Sequence, residues 1–127
     1  MSHTRKILLI DSDHAASYMI TMILKLNHFE VSPYSDPDLA LSDFEKGLYD
    51  LILMDLDMEG MNGFELYKRM RQIDDNVHVC FMTDLRARYL DEFKTTFPDF
   101  PPTSLAEKPV GTDDLLEILR LNLVDNQ

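Results

Sequence analysis

The sequence predicts a doubly wound α/β domain, in which a five-stranded parallel sheet is covered by helices on both faces. Two observations support this prediction. Short apolar runs alternate with helical patterns along the whole chain, and no repeat, low-complexity tract or linker interrupts them. The apolar runs are continuous, which is typical of parallel strands buried on both faces. We therefore expect five consecutive βα units.

The first two units come before the central strand. Residues 7–10 form the first strand candidate and residues 29–34 the second. Between them, apolar residues three or four positions apart predict the buried stripe of helix 1: Ala15, Met19, Met22 and Leu26, widened by Ala16, Ile20 and Ile23. Helix 2 is expected to begin at Pro37, after the cap residue Asp36, and to extend to Gly47.

The remaining three units follow the same alternation. The third strand covers 51–54 and the fourth 77–82. Asn62 with Glu65 three positions later forms a capping box that predicts the start of helix 3. Helix 4 is placed between 86 and 97, and a short fifth strand precedes Lys108. Thr112 is predicted to cap helix 5.

Composition and charge restrict the function classes. The 127 residues are 45% hydrophobic, which suits one domain over 1–127 with its core at about 5–121. The net charge of −11 argues against nucleic acid and anionic membranes as partners. No apolar stretch approaches the roughly 20 residues of a membrane span, so we expect a cytoplasmic protein. The single cysteine, Cys80, lies in an apolar run and is expected to be a buried core residue.

Polar residues stand where four of the predicted strands end. Ligands of open parallel sheets bind beyond the carboxyl ends of the strands, so these residues are the candidate site. They are Asp11, Ser12 and Asp13 after the first strand, Asp55 and Asp57 after the third, Thr83 and Asp84 after the fourth, and Lys108 after the fifth. Singly, each is an ordinary cap or surface residue; together they form a set at one sheet edge.

This set suits phosphoryl transfer to a carboxylate. Clustered carboxylates need a cation among them, and Mg²⁺ prefers oxygen ligands. A carboxylate can act as the nucleophile and form an acyl phosphate, while an ammonium and a hydroxyl bind the phosphoryl oxygens. Asp55 is the expected nucleophile because it ends the central strand.

Four segments, taken in order, resemble the receiver domain of two-component response regulators. They are the strand 6–10 with Asp11, the stretch 55–63 (Asp-Leu-Asp-Met-Glu-Gly-Met-Asn-Gly), the pair Met82-Thr83 and the pair Lys108-Pro109. The resemblance covers about 6–121 and implies a flavodoxin-like (βα)5 receiver fold. It also implies a signalling module whose only catalysis is its own phosphorylation and dephosphorylation.

The resemblance implies a role for each matching residue. Asp55 would be the phosphoacceptor, with a histidine kinase as donor. Asp11, Asp55 and the backbone carbonyl of Asp57 would hold Mg²⁺. Thr83 would be the switch hydroxyl and Lys108 the phosphoryl-binding lysine. Because only residues 122–127 follow the pattern, we expect a stand-alone receiver, and a homodimer through the helix 4 to helix 5 face stays open.

The sequence departs from the family pattern at several positions. Ser12 stands where a second acid normally coordinates the metal, so the remaining ligand is either Ser12 or Asp13, and Mg²⁺ binding should weaken. Glu59 and Asp84 add negative charge near the site, and Leu105 replaces the usual aromatic residue. These departures motivate an alternative, an interaction module that does not depend on phosphorylation.

A minor alternative is a phosphatase similar to the haloacid dehalogenase class. The first strand is followed by the Asp-x-Asp pattern of that class, which would move the nucleophile to Asp11. The chain is short for such an enzyme, and Asp55 would have no role in it.

Overall fold

Five strands alternate with five helices in the computed structural model, which describes residues 4–83, 90–96, 98, 105–108 and 110–123. The strands are β1 (Lys6–Ile10), β2 (Glu30–Tyr34), β3 (Leu51–Asp55), β4 (Val79–Thr83) and β5 (Leu105–Glu107). The helices are α1 (His14–Leu26), α2 (Pro37–Asp43), α3 (Gly63–Ile73), α4 (Leu90–Thr96) and α5 (Thr112–Asn122). The predicted βα alternation is confirmed.

The strands form one sheet in the order β2-β1-β3-β4-β5, and every pairing is parallel. The central strand β3 is buried along its whole length. The edge strand β2 is only partly buried and contains Pro33, which an edge strand tolerates because it has neighbours on one side only. The strand order reverses at β1, so the ligand-binding crevice of this topology is expected beside the ends of β1 and β3.

Alternate strand residues face two separate apolar layers. Leu8, Ile52 and Phe81 belong to the layer beneath α2 and α3. Leu9 and Leu53 belong to the layer beneath α1 and α5. Helices on both faces explain why the strands are apolar without alternation. The doubly wound fold predicted from the sequence is therefore confirmed.

Side-chain caps start three of the helices. Asp13, Asp36 and Asn62 each accept a hydrogen bond from a backbone N–H in the first turn of α1, α2 and α3. The prediction for helix 5 was wrong, because Thr112 is already helical and Gly111 occupies the cap position without a side-chain bond.

The predicted buried stripe of helix 1 was partly wrong. Ile20 and Leu24 are the buried residues of α1, whereas Met19, Met22 and Leu26 are 60%, 44% and 74% exposed. Periodicity detects an apolar face but not how much of it the fold covers. The sheet covers only the part of the face around Ile20 and Leu24.

Other element boundaries differ from the predictions by a few residues. Helix 2 ends at Asp43, since Phe44 adopts an extended backbone and is buried, and it does not reach Gly47. Strand 4 begins at Val79 and not at Val77, because Val77 belongs to a turn in which its N–H donates to the Asp74 carbonyl. Asp84, the residues 86–89 predicted to begin helix 4, and Pro109 lie outside the described residues. Within the described part, no helix is both long and apolar enough to cross a membrane.

Candidate functional site

The carboxyl edge of the sheet brings the predicted site residues together. Asp11 follows β1, Asp55 ends β3, Thr83 ends β4 and Lys108 follows β5. These four strands are neighbours in the sheet, so their ends lie side by side. Asp11, Asp55 and Thr83 are buried. The backbone N–H of Lys108 donates to the carbonyl of Thr83 at 2.9 Å, which fixes the lysine against the end of β4.

The Lys108 ammonium lies between the two buried carboxylates. Its Nζ is 3.4 Å from Asp11 Oδ2 and 3.3 Å from Asp55 Oδ2. Two carboxylates this close to one another would repel without a cation. The lysine therefore joins two residues that are 44 positions apart in sequence into one charged cluster.

The environment of Asp55 makes its carboxyl group easier to protonate than an ordinary aspartate side chain. Burial raises the pKa of Asp55 to about 6. This effect outweighs that of the nearby Lys108 ammonium, which lowers the pKa of Asp55. The charge of Asp11 raises the pKa of Asp55 further, and the backbone N–H of Asp57 lowers it. Burial alone would lower the pKa of Lys108, but the charges of Asp55 and Asp11 outweigh it and raise that pKa. The lysine is therefore a permanent cation at neutral pH.

The loop between β3 and α3 is held against the end of β3. The N–H of Asp57 donates to Asp55 Oδ1 at 3.2 Å, and the N–H of Gly63 donates to the carbonyl of Leu56 at 2.8 Å. Asn62 caps α3 by accepting from the Glu65 N–H at 2.8 Å. These bonds return the chain to the sheet edge directly after Asp55. The sequence did not indicate that Gly63 holds this loop against β3, because a glycine in a first helical turn looks like an ordinary helix start.

Asp13, predicted as one candidate for the missing metal ligand, is engaged as a helix cap. Its Oδ1 accepts from the N–H groups of Ala15 and Ala16 at 3.0 and 3.2 Å. The N–H of Asp13 itself donates to Asp11 Oδ1 at 2.9 Å. To leave the cap, Asp13 would have to give up bonds that contribute about 1 kcal/mol to helix stability. Ser12, the other candidate, is exposed between the two acids.

The donor atoms at the sheet edge fit Mg²⁺. The Asp11 and Asp55 carboxylates and the backbone carbonyl of Asp57 are all oxygen donors, and Mg²⁺ commonly binds through one or two carboxylates with waters and phosphate oxygens. No group of three or more His, Cys, Asp or Glu side chains that could hold a metal ion occurs among the described residues. A metal here would be held by the two carboxylates and the Asp57 carbonyl, with waters and phosphate oxygens as its other ligands.

The remaining sequence departures contribute less to the described site. Glu59 is exposed in the β3–α3 loop, and Leu105 is half-buried in β5 and packs against the core. Asp84 lies outside the described residues. Cys80 is fully buried within β4, as predicted, and has no access to the sheet edge.

The fold and the edge cluster together define a doubly wound α/β domain with an acid–lysine site at its carboxyl edge. The family model of the response regulator receiver domain matches residues 7–120. The chain therefore belongs to the response regulator receiver domain family. Receiver domains are signalling modules of two-component systems rather than classical enzymes, and phosphorylation by a histidine kinase is general in the family.

Individual relatives agree with this assignment. The chain is 31% identical over 78 residues to sporulation initiation phosphotransferase F of Bacillus subtilis, covering 61% of this chain and 63% of that protein. It is 28% identical over 119 residues to transcription factor SKN7 of Saccharomyces cerevisiae, covering 94% of this chain but 19% of that protein. The chain thus spans less than two thirds of these relatives.

Solved structures show the same fold. Chemotaxis protein CheY4 of Vibrio cholerae superposes with a TM-score of 0.80 at 24% identity, over 95% of this chain and 100% of that chain. A CheY-like receiver domain protein from Methanospirillum hungatei superposes with a TM-score of 0.80 at 22% identity, over 95% and 94% of the two chains.

Proposed function

We propose that this chain accepts a phosphoryl group on Asp55 from a histidine kinase, with Mg²⁺ bound, and that phosphorylation changes its binding to a downstream partner. The observation that supports this most is the contact of one ammonium, Lys108 Nζ, with both Asp55 and Asp11. That geometry leaves a cation beside the carboxylate that would be phosphorylated. The proposed donor is consistent with a cytoplasmic location.

The proposed chemistry assigns a task to each residue. One Asp55 carboxylate oxygen attacks the phosphorus, the bond from phosphorus to the donor breaks, and an acyl phosphate forms. The Lys108 ammonium stabilises the charge on the phosphoryl oxygens. Asp11, Asp55 and the Asp57 carbonyl would hold Mg²⁺, which supplies charge neutralisation for the incoming phosphoryl group.

Lys108 and Thr83 are proposed to respond to phosphorylation of Asp55. An acyl phosphate on Asp55 gives Lys108 a more highly charged partner than the bare carboxylate, so the lysine is drawn toward it. The hydroxyl of Thr83, at the end of the adjacent strand, is the candidate to bind a phosphoryl oxygen. Because the Lys108 N–H is bonded to the Thr83 carbonyl, movement of either residue affects the ends of both β4 and β5.

A second candidate function is an interaction module that does not depend on phosphorylation. The observation that favours it is the reduced acid set, in which Ser12 replaces a carboxylate and Asp13 is occupied as a cap. The phosphatase hypothesis has less support. The match to the receiver domain family favours Asp55 over Asp11 as the nucleophile.

The proposal is tested by intact-mass measurement after incubation with acetyl phosphate and Mg²⁺. The parent chain, Asp55→Asn and Asp57→Asn are compared, each with and without EDTA. Asp57→Asn is the matched control because it makes the same chemical change at an exposed side chain and keeps the backbone carbonyl. A single adduct on the parent and on Asp57→Asn, absent from Asp55→Asn and from the EDTA samples, supports the proposal.

Two results would count against the proposal. An adduct of equal yield on Asp55→Asn would place the phosphoryl group elsewhere. Failure of the parent chain to form an adduct, with no recovery in Ser12→Asp, would favour the phosphorylation-independent module instead.

A further inference from the structure

The loop between β3 and α3 contains the only Asn-Gly pair of the sequence, Asn62-Gly63. In such a pair the backbone nitrogen of the glycine can attack the side-chain amide carbon of the asparagine, because glycine has no side chain to obstruct the approach. Asn62 is partly buried and Gly63 is buried. The dipeptide in which asparagine deamidates most readily therefore lies where the chain returns to the sheet edge after Asp55.

Hydrogen bonds in the loop hold both reacting groups apart. The Gly63 N–H donates to the Leu56 carbonyl at 2.8 Å, so the attacking nitrogen keeps its proton and faces the end of β3. Asn62 Oδ1 accepts from the Glu65 N–H at 2.8 Å, which directs the side-chain amide into the first turn of α3. Ring closure requires the nitrogen to lose its proton and the amide carbon to turn toward it. Both bonds must therefore break before the reaction.

Packing adds to this restraint. The Gly63 backbone lies directly against the backbone atoms of Asp55 and Leu56, so the nitrogen is not able to move out alone. Met58 fixes the same loop from its other side, because its side chain is buried in the apolar layer beneath α2 and α3. The nitrogen and the amide carbon of the pair can therefore meet only after the loop has left the sheet edge.

We propose that Asn62 is a deamidation site that the closed loop suppresses, so that it reacts only in molecules whose loop has opened locally. In the open loop the Gly63 nitrogen loses its proton and forms a bond to the Asn62 amide carbon. The bond from that carbon to the side-chain nitrogen breaks, and ammonia leaves with the proton. Water then opens the resulting succinimide ring at either carbonyl, giving aspartate or, as the major product, isoaspartate.

The two products differ in their effect on the fold. Aspartate keeps the normal backbone and caps a helix about as well as asparagine does. In isoaspartate the main chain runs through the side-chain carbons, so it is one carbon longer before Gly63, and the Gly63 N–H no longer lies opposite the Leu56 carbonyl. We expect isoaspartate to detach the start of α3 from the end of β3. Only the resulting loss of phosphorylation at Asp55 rests on the proposed function.

Peptide mapping by mass spectrometry follows deamidation in a mildly alkaline buffer, with and without denaturing guanidinium chloride. Residue 62 of the native parent chain should react at least about tenfold more slowly than in denaturant, because two hydrogen bonds must break first. Met58→Ala, which leaves a cavity under the loop, should raise the native rate by about threefold or more and leave the denatured rate unchanged. Leu24→Ala is the matched control, because Leu24 is also buried but lies in the layer beneath α1 and α5.

Circular dichroism confirms that both variants are folded. The proposal is overturned if residue 62 reacts equally fast with and without denaturant, or if it does not react in denaturant. It is also overturned if Met58→Ala accelerates the native reaction no more than Leu24→Ala does, because the reaction would then not proceed through opening of this loop.

The isoaspartate form, separated by chromatography, is compared with Asn62→Asp, which adds the same charge to a normal backbone. Its midpoint of unfolding in denaturant should be lower than that of Asn62→Asp, and its rate of phosphorylation by acetyl phosphate at least about tenfold lower. Equal midpoints, or equal rates in forms that are phosphorylated, would overturn the effect assigned to isoaspartate. If no form is phosphorylated while the midpoints differ, the proposed function fails and the deamidation proposal stands.

Discussion

The backbone of Gly63 lies so close to that of Asp55 that a side chain does not fit between them. A Cβ placed on Gly63 would be 2.6 Å from the Asp55 carbonyl oxygen and 2.9 Å from the Leu56 Cα. Both neighbours are backbone atoms, which cannot rotate away. This glycine is required by the close approach, and it allows the start of α3 to rest on the end of the strand that carries Asp55.

Gly63→Ala is expected to displace the β3–α3 loop from Asp55. We expect a fall in unfolding free energy of about 1–3 kcal/mol, from overpacking, and at least about a tenfold loss in the rate of phosphorylation by acetyl phosphate. Gly111→Ala is the control, because the nearest atom to a Cβ there is 3.9 Å away. Equal effects of the two substitutions on phosphorylation would contradict the positioning role of Gly63.

Ser12→Asp should strengthen Mg²⁺ binding. The substitution adds a carboxylate beside Asp11 and Asp55, and the number of charged ligands sets the affinity of such sites, so we expect about a tenfold lower dissociation constant. Calorimetric titration with Mg²⁺ measures it. Ser42→Asp adds the same charge at an exposed position near the C-terminal end of α2 and should leave the affinity unchanged. If Ser12→Asp binds Mg²⁺ no more tightly than Ser42→Asp, the account of the weakened site is wrong.

Asp55→Asn should stabilise the metal-free fold in a pH-dependent way. Burial raises the pKa of Asp55 from 3.8 to about 6, so the folded chain holds this proton more tightly than the unfolded chain does. The carboxyl group therefore destabilises the fold increasingly as the pH rises from about 4 to 6. Asparagine stays neutral, and the variant should gain on the order of 2 kcal/mol over the parent across this window. Urea unfolding in EDTA at pH 4 and pH 7 measures the unfolding free energies of the parent and of Asp55→Asn. The same difference between the two proteins at both pH values would contradict the raised pKa of Asp55.

The Cys80 thiol should be unreactive in the native protein. Its side chain is fully buried in β4, and burial raises the pKa of the thiol to about 12, so almost no thiolate is present at pH 8. A thiol reagent such as dithionitrobenzoate should react with the unfolded chain at once and with the native chain only as fast as it unfolds. Rapid native labelling at a rate proportional to reagent concentration would show that the thiol is accessible.

Asp74 should stabilise two loops at the edge of the sheet opposite the site. Its carboxylate accepts from the Gly47 N–H at 3.2 Å and from the Asn76 N–H at 3.0 Å. Asp74→Ala removes both acceptors and should lower the unfolding free energy by about 2 kcal/mol, with little effect on phosphorylation. Asp75→Ala, at an exposed neighbour, should change it by less than about 0.5 kcal/mol. Similar losses in the two variants would contradict this role.

The sequence predicted the fold well because its strands and helix starts carry local signals. The apolar runs at β1, β3 and β4 mark buried strands, and Asp36 and Asn62 mark helix starts through side-chain caps that need no tertiary information. Since parallel strand ends meet at one sheet edge, the same pattern was enough to predict that four residues lie close together: Asp11, Asp55, Thr83 and Lys108.

What the sequence did not reveal depends on tertiary packing. Periodicity could not show that Met19 and Met22 face outward, because exposure depends on where α1 contacts the sheet. The use of Asp13 as a cap rather than a free carboxylate is a matter of side-chain geometry. The close approach of the Gly63 and Asp55 backbones is a tertiary contact, and no local sequence pattern encodes it.

Locating the phosphoryl group on the chain tests the central claim most directly. The protein is incubated with acetyl phosphate and Mg²⁺ and then treated with borohydride, which reduces an aspartyl phosphate to homoserine. Peptide sequencing by mass spectrometry then identifies the converted residue. Our account predicts homoserine at position 55 alone, and homoserine at position 11 or 57 with Asp55 intact would contradict it.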